Sequence, residues 1–178
     1  MYHAFTRKTV GYFVAQEVED LEFWVPLMRL REEGAKVIVI GLSTRKVRGH
    51  NGLEMMPDVS IEEAPKADAL DGLVIPGGWA PDRLRRNQGV LQLVREVYAQ
   101  GKIIASICHG GWVPISAGIV RGHKATGTSA IKDDITNAGG TWVDESAFRD
   151  GNIVWGRVVE DIPNFCRELV SALEQQQY

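Results

Sequence analysis

The sequence predicts an α/β sandwich in which a mostly parallel sheet is covered by helices. Apolar, strand-like runs alternate with helical patterns along the whole chain. The central runs, such as VIVIG and IIASI, are apolar throughout, as strands buried on both faces are. The 178 residues suffice for one well-filled core and are too few for two ordinary ones. We therefore expect residues 1–178 to form one domain.

The first half of the chain supplies three of the predicted strands. Residues 9–15 (TVGYFVA), 35–42 (AKVIVIGL) and 70–78 (LDGLVIPGG) are rich in apolar and β-branched side chains. Apolar residues at helical spacing predict an amphipathic helix over residues 21–34, where Pro26 predicts a kink or a late helix start. The stretch that follows the second strand indicates a turn and one or two strands outside the main alternation.

The second half continues the alternation. Its fourth strand, KIIASIC, lies between two helical patterns and ends at Cys108. Asp150-Gly151 is a strong turn dipeptide and predicts a hairpin, and Asp161 is the expected N-cap of the closing helix. The predicted elements are helices over 81–101, 110–120, 130–140 and 161–175, a short strand within 123–129, and a hairpin over 141–157.

Composition and charge exclude several classes of function. The net charge is −3 at pH 7, so there is no electrostatic reason to expect a nucleic acid or an anionic membrane as partner. The basic cluster TRKVR is expected to be a solvated loop.

No apolar run reaches membrane-spanning length, and residues 1–8 lack the apolar centre of a signal peptide, so we expect a cytoplasmic protein. Metal-ligand spacing and nucleotide-binding fingerprints are absent, and no metal or cofactor is expected.

The two cysteines have different settings. Cys166 lies at helical spacing among apolar residues and is expected to be a core residue. Cys108 ends a strand and is followed by His109, two glycines and a helix, which is the pattern of a nucleophile elbow. Amides at the helix start would lower the pKa of the thiol and bind an oxyanion. The alternative is a buried structural cysteine that happens to end a strand.

Several motifs in one order resemble the PfpI/ThiJ family of the DJ superfamily. They are EVEDLE after the first strand, VIPGG, ASICHG, ISAGIVRG, IKDDITNAG, WVDE and DIPNFCREL. The likeness covers nearly the whole chain and is greatest to the branch of intracellular protease I and PfpI-like deglycases. It implies a flavodoxin-like fold of the class I glutamine amidotransferase type.

The resemblance also implies catalytic roles for four residues. The nucleophile matches Cys108, and the protonated carboxyl that donates to its sulfur matches Glu19. His109 matches a histidine that acts as acid or base, and Asp82 matches an acidic residue that reaches this histidine from a neighbouring subunit. Each has an alternative. Glu19 could be a solvated turn carboxylate, His109 could only contact solvent or a partner, and Asp82, one methylene shorter than the usual Glu, could be a helix cap.

The glycines and two tryptophans complete the expected site. Gly77 and Gly78 face the elbow, so their amides could join that of His109 in an oxyanion hole, and Gly110 permits a tight turn. The family commonly has Pro after CHG, whereas this chain has Gly111 and Trp112. Trp79 and Trp112 would narrow the mouth of the site, or would pack in the core or an interface. Arg157 could bind a carboxylate or phosphate, or form a surface ion pair.

These residues are typical of a stress-related enzyme whose thiolate attacks small reactive carbonyls, as in glyoxalase III or deglycase chemistry, or amide bonds, as in a PfpI-like peptidase. The alternative is a redox-sensing stress protein or chaperone whose cysteine is oxidised to sulfinate. A binding module without activity is disfavoured by the intact set of site residues. The expected partners are a carbonyl or peptide-like substrate and further copies of the chain, as a homodimer or higher oligomer.

Overall fold

The computed structural model describes residue 5 and residues 7–176, so the N-terminal residues 1–4 and 6, on which the expectation about a signal peptide partly depends, lie outside the described part. The strands are β1 (Thr9–Val14), β2 (Lys36–Gly41), β3 (Val47–Arg48), β4 (Glu54–Met55), β5 (Val59–Ser60), β6 (Gly72–Ile75), β7 (Ile103–Ile107), β8 (Lys124–Ala125), β9 (Thr141–Trp142), β10 (Ala147–Asp150) and β11 (Ile153–Gly156). The helices are α1 (Asp20–Glu32), α2 (Ala80–Leu84), α3 (Gln88–Ala99), α4 (Trp112–Ala117), α5 (Lys132–Asn137) and α6 (Ile162–Gln175).

Seven strands form one sheet in the order β10-β11-β7-β6-β1-β2-β5. All neighbours are parallel except β10 and β11, which form the predicted hairpin and pair Asp150 with Ile153. In α/β sheets of this type the site lies beyond the carboxyl ends of the strands. The predicted mixed α/β fold with a mostly parallel central sheet is confirmed.

Helices cover the sheet in two layers. Helix α1 packs against α6, which lies on β7 and β11, whereas α3 packs against α4 and lies on β6 and β7. The central strands are buried, and every residue of β6 and β7 is inaccessible or nearly so. Among the described residues, no helix is long and apolar enough to cross a bilayer.

Helix α1 begins at Asp20 and continues through Pro26, so the expected late start is wrong. Proline has no N–H to bond the carbonyl four residues earlier, which belongs to Glu22. The hydroxyl of Tyr12 donates to that carbonyl at 2.7 Å and satisfies it instead. A tertiary hydrogen bond therefore lets the helix tolerate its internal proline.

Two further local expectations hold in part: the turn and the strands expected after β2 are present, but β5 joins the main sheet, and Asp161 occupies the N-cap without capping through its side chain. The segment after β2 forms the small β3–β4 hairpin, and β5 then pairs parallel with β2 at the edge of the main sheet. Asp161 stands at the N-cap of α6, but its side chain makes no capping hydrogen bond. Its carboxylate instead accepts from the guanidinium of Arg157 at 2.8 Å.

Candidate active site

Cys108 adopts the strained backbone of a nucleophile elbow. Its φ is +58°, in the left-handed region that residues with a side chain rarely adopt. Strand β7 ends at Ile107, a short 3₁₀ turn spans Cys108–Gly111, and α4 follows. The turn places a partly buried thiol directly after the carboxyl end of β7.

The carboxyl beside Cys108 belongs to Glu22, so the placement of Glu19 there is wrong. Glu22 is fully buried, and its Oε2 accepts from the amide N–H of Gly77 at 2.7 Å. A Cβ atom built on Gly77 would contact both this oxygen and the Cβ of Cys108, so Glu22 and Cys108 lie on either side of the same glycine. Glu22 and Cys108 also shift each other's pKa.

Glu19 caps helix α1 instead. Its Oε2 accepts from the N–H of Glu22 at 2.8 Å, and its Oε1 accepts from the side-chain amide of Asn51 at 3.1 Å. The helical spacing in the sequence distinguishes Glu22 from Glu19. Glu22 lies four residues before buried Pro26 and beside buried Phe23, on the inward face of α1, whereas Glu19 lies at the helix start, where an acceptor is required.

Burial controls the protonation of this pair. It raises the pKa of Glu22 to about 8, and the charge of Glu19 adds to the rise. Burial, followed by the charge of an ionised Glu22, also raises the pKa of the Cys108 thiol, and the amides of His109 and Gly78 oppose this only in part. The expectation that the elbow would lower this pKa is therefore reversed, because desolvation outweighs the amides. At neutral pH the pair holds a protonated carboxyl beside a thiol.

Two backbone amides remain available at the sulfur. The N–H groups of His109 and Gly78 face Cys108, whereas that of Gly77 is occupied by Glu22. Gly77 is thus not the predicted oxyanion donor, and its role is to let Glu22 and Cys108 approach each other. Gly110 is buried, and a Cβ atom built on it would clash with the carbonyl oxygen of Ile75, so it serves the packing of the turn and does not face the mouth of the site.

His109 lies between the two tryptophans. Its Nδ1 is 3.5 Å from the sulfur of Cys108, and burial lowers its pKa, so the imidazole is neutral at neutral pH. The ring centroid of Trp79 is 5.5 Å away and that of Trp112 is 5.0 Å away. Trp79 is half exposed and Trp112 is partly buried. Both indoles therefore flank the candidate base, and Trp112 also packs against the core.

In the part of the chain that the structure describes, Asp82 makes no hydrogen bond or ion pair with the His109 of its own chain. It is exposed on α2 and forms an ion pair with Arg86 at 3.0 Å, one turn later. Its predicted contact with a histidine of a neighbouring subunit stays a prediction. The pairing with Arg86 leaves the carboxylate at the surface, where a second copy could reach it.

Arg157 forms ion pairs of its own. Its guanidinium bonds Asp161 at 2.8 Å and Asp144 at 2.9 Å, which agrees with the ion-pair alternative. Cys166 is buried in α6 among apolar residues, as expected.

The fold and the elbow define a class: an α/β protein with a cysteine beyond the carboxyl end of a central parallel strand. The profile of the DJ-1/PfpI family matches residues 8–172. A protein of Pyrococcus horikoshii named deglycase PH1704 is 39% identical over 165 residues, which cover 93% of this chain and 99% of that protein. Deglycase PfpI of Pyrococcus furiosus is 37% identical over 163 residues, or 92% and 98% of the two chains.

The solved structure of Drosophila melanogaster DJ-1beta superposes with a TM-score of 0.87 at 26% identity, covering 95% of this chain and 91% of that one. The chain belongs to the DJ-1/PfpI family. Its flavodoxin-like fold and its curated relatives together support an enzyme of the DJ-1/PfpI type.

Proposed function

We propose that this protein is a stress-related enzyme that uses Cys108 on small reactive carbonyls, in the manner of a glyoxalase III or deglycase. The observation that carries the proposal is the arrangement around one sulfur. Cys108 is held at φ +58° with the neutral carboxyl of Glu22 on one side and the neutral imidazole of His109 on the other. The relatives named deglycase support the same class of reaction.

The chemistry follows from these positions. His109 takes the thiol proton as the sulfur of Cys108 attacks an aldehyde carbon, and the carbonyl oxygen receives a proton to give a hemithioacetal. The amides of His109 and Gly78 stabilise the negative charge that forms on that oxygen. With a 2-oxoaldehyde, transfer of the C1 proton to C2 gives a thioester, and water releases a 2-hydroxy acid and the free thiol. The net reaction adds one water to the substrate.

Hydrolysis of amide bonds, as in a PfpI-like peptidase, uses the same groups through an acyl-enzyme. The two indoles beside His109 narrow the approach to the sulfur, which favours a small substrate over an extended peptide. We therefore rank peptidase or amidase activity below carbonyl chemistry.

A second candidate function is redox sensing. A protonated, fully buried carboxyl beside the sulfur can donate a hydrogen bond to a sulfenate or sulfinate oxygen. Oxidation would then be reversible at the sulfenate stage and lasting at the sulfinate stage. A redox sensor does not require His109, and we therefore rank redox sensing second.

We further propose that residues 1–178 form one domain and that the protein acts in the cytoplasm.

We also propose that the protein is a homo-oligomer. The side chains of Leu21, Val25 and Met28 are 49%, 41% and 59% exposed and recur at helical spacing on α1. Exposed Leu53 adjoins them, because its N–H donates to Asp20 at the start of α1. A second copy of the chain could cover this apolar surface.

The test compares carbonyl and amide substrates with one enzyme preparation. The wild type is incubated with methylglyoxal, with a glycated amine and with a fluorogenic peptide amide, and products are identified by mass and chirality. The proposal expects methylglyoxal to become lactate, and expects Cys108→Ala to abolish the conversion. Faster release of the amide than of lactate, or no loss of any carbonyl, would overturn it.

A further inference from the structure

The imidazole of His109 is confined mainly by ring contacts. Its Nδ1 is 3.5 Å from a sulfur, a long contact, and within residues 5 and 7–176 its other nitrogen makes no hydrogen bond to this chain. The Trp79 ring is tilted by 36° to the imidazole and the Trp112 ring by 60°. The plane in which the imidazole meets the sulfur therefore depends on where these indoles are held.

Trp112 is the better fixed of the two indoles. Its Nε1–H donates to Oδ2 of Asp134 at 2.8 Å, across from α4 to α5. The guanidinium of Arg85 lies 5.3 Å from the Trp112 ring centroid and donates to the hydroxyl of Ser116 at 2.8 Å. Charge-assisted and cation–π contacts of this kind restrict both rotation and tilt of the ring.

We propose that Asp134 is a positioning residue for His109 and acts through Trp112. The carboxylate fixes the indole, the indole fixes the plane of the imidazole, and the imidazole then faces the thiol of Cys108. This inference rests on the proposed function, because it assigns a role in the same reaction. It differs from the predicted contact of Asp82, which would bond a ring nitrogen of another subunit's histidine and so set its tautomer.

The size of the expected effect follows from geometry. The base must approach the thiol more closely than 3.5 Å during proton transfer, so a small rotation of the ring removes the productive contact. Misplacement of a catalytic group by about 1 Å costs up to roughly a hundredfold in rate. Loss of the tether leaves the ring stacked but free to tilt, for which we expect a loss of about tenfold.

The experiment compares Asp134→Ala, Asp134→Asn and Asp133→Ala by turnover of methylglyoxal. Asn keeps an oxygen that accepts from the indole, so Asp134→Asn should recover most of the activity. Asp133 is the exposed neighbour on the same helix, and its alanine variant is the matched control for charge and helix content. We expect Asp134→Ala to lower kcat about tenfold with little change in KM, and Asp133→Ala to match the wild type.

A double-mutant cycle separates positioning from a merely structural role. In the His109→Ala background, Asp134→Ala should have no further effect, because no imidazole remains to be positioned. The same fractional loss with and without His109 would overturn the proposal, as would full activity of Asp134→Ala. Thermal unfolding of each variant shows whether a loss of activity comes from unfolding. If Asp134→Ala unfolds, the activity of Asp134→Asn, which keeps the acceptor for the indole, tests the proposal instead.

Alkylation of Cys108 by iodoacetamide keeps the inference separate from the proposed function. If the wild type converts no methylglyoxal, the proposed function fails, and the rate of alkylation against pH becomes the readout. We then expect Asp134→Ala to change that profile in the same direction as His109→Ala, and to change nothing once His109 is absent. A profile of Asp134→Ala that coincides with the wild type would overturn the positioning role.

Discussion

The carboxyl oxygen Oε2 of Glu22 accepts from the amide N–H of Gly77 at 2.7 Å, and this bond joins the first turn of α1 to the loop that faces Cys108. The bond holds one oxygen of a buried acid beside the thiol of Cys108. Within residues 5 and 7–176, the other oxygen, Oε1, is buried without a hydrogen-bond partner. The side chains of Glu22 and Cys108 are close enough to interact, so a buried acid at this point is suited to share its proton with the thiol or with a bound substrate.

Replacing Glu22 by Gln should lower kcat/KM for methylglyoxal by at least about a hundredfold, because an amide keeps the shape of the acid and cannot exchange its proton. Glu19→Gln is the matched control on the same helix turn. It alters the N-cap and should cost no more than about 1 kcal/mol of stability. Equal losses of turnover in both variants would restore Glu19 as a catalytic candidate.

The raised pKa of Glu22 predicts a pH-dependent stability. The folded state keeps the proton up to about pH 8, whereas the unfolded chain releases it near the ordinary value of 4.5. The stabilisation is therefore complete below about 4.5 and is lost as pH rises towards 8, by up to about 1.4 kcal/mol per pH unit. Urea unfolding of the wild type and Glu22→Gln at pH 5, 6.5 and 8 measures the difference. A difference that does not change with pH would contradict the assignment.

Gly77→Ala should lower both the stability of the protein and its turnover of methylglyoxal. Its Cβ would lie 2.8 Å from the Cβ of Cys108 and would also contact Oε2 of Glu22, so both groups must move. Gly89 is the control, since its Cβ would meet the side chains of Asn87 and Ile61 at 3.2 Å near the start of α3, away from Cys108. Thermal unfolding and methylglyoxal turnover of both alanine variants test this. A Gly77→Ala protein with normal turnover would show that the close approach is dispensable.

The predicted sharing of Asp82 between subunits has a direct test by complementation. Cys108→Ala and Asp82→Asn should each be inactive, or nearly so, as homo-oligomers. When the two are coexpressed, a mixed pair contains one site with Cys108 from one chain and Asp82 from the other, so part of the activity should return. If the coexpressed chains stay as inactive as the separate variants, the predicted contact of Asp82 with a neighbouring subunit is wrong.

The proposed homo-oligomer also predicts that the apolar surface of α1 forms an interface between copies of the chain. Val25→Glu places a charge in the exposed stripe of Leu21, Val25 and Met28 and should shift the protein to monomers in sedimentation. Glu32→Gln, at the far end of the helix, is the control and should leave the oligomer intact. An unchanged sedimentation profile for Val25→Glu would place the interface elsewhere.

Patterns that depend on local spacing were predictable from the sequence. The hairpin at Asp150-Gly151, the core placement of Cys166 and the parallel strands that end at the site all follow from periodicity and turn residues. The positive φ of Cys108 agrees with the elbow pattern. The position of each of these elements along the chain is indicated by residues that are close together in the sequence.

Features that depend on tertiary hydrogen bonds were not predictable in the same way. The hydroxyl of Tyr12 satisfies the carbonyl that Pro26 leaves free, and the amide of Gly77 is taken by Glu22. Neither partner is marked in the sequence. The choice between Glu19 and Glu22 lies between these cases, because the inward face of α1 indicates Glu22, but four acidic residues within six positions obscure it.

The central claim is that Cys108 and His109 act together on a small carbonyl. The most direct measurement is the rate of methylglyoxal loss by the wild type and by His109→Ala, with the intact mass of each protein recorded before and after mild peroxide. The account predicts turnover by the wild type and a loss of about a hundredfold or more without His109. Turnover that survives unchanged in His109→Ala would contradict the His-assisted mechanism. An absence of turnover in both proteins, with clean conversion of Cys108 to its sulfinate, would contradict the enzyme and favour the redox sensor.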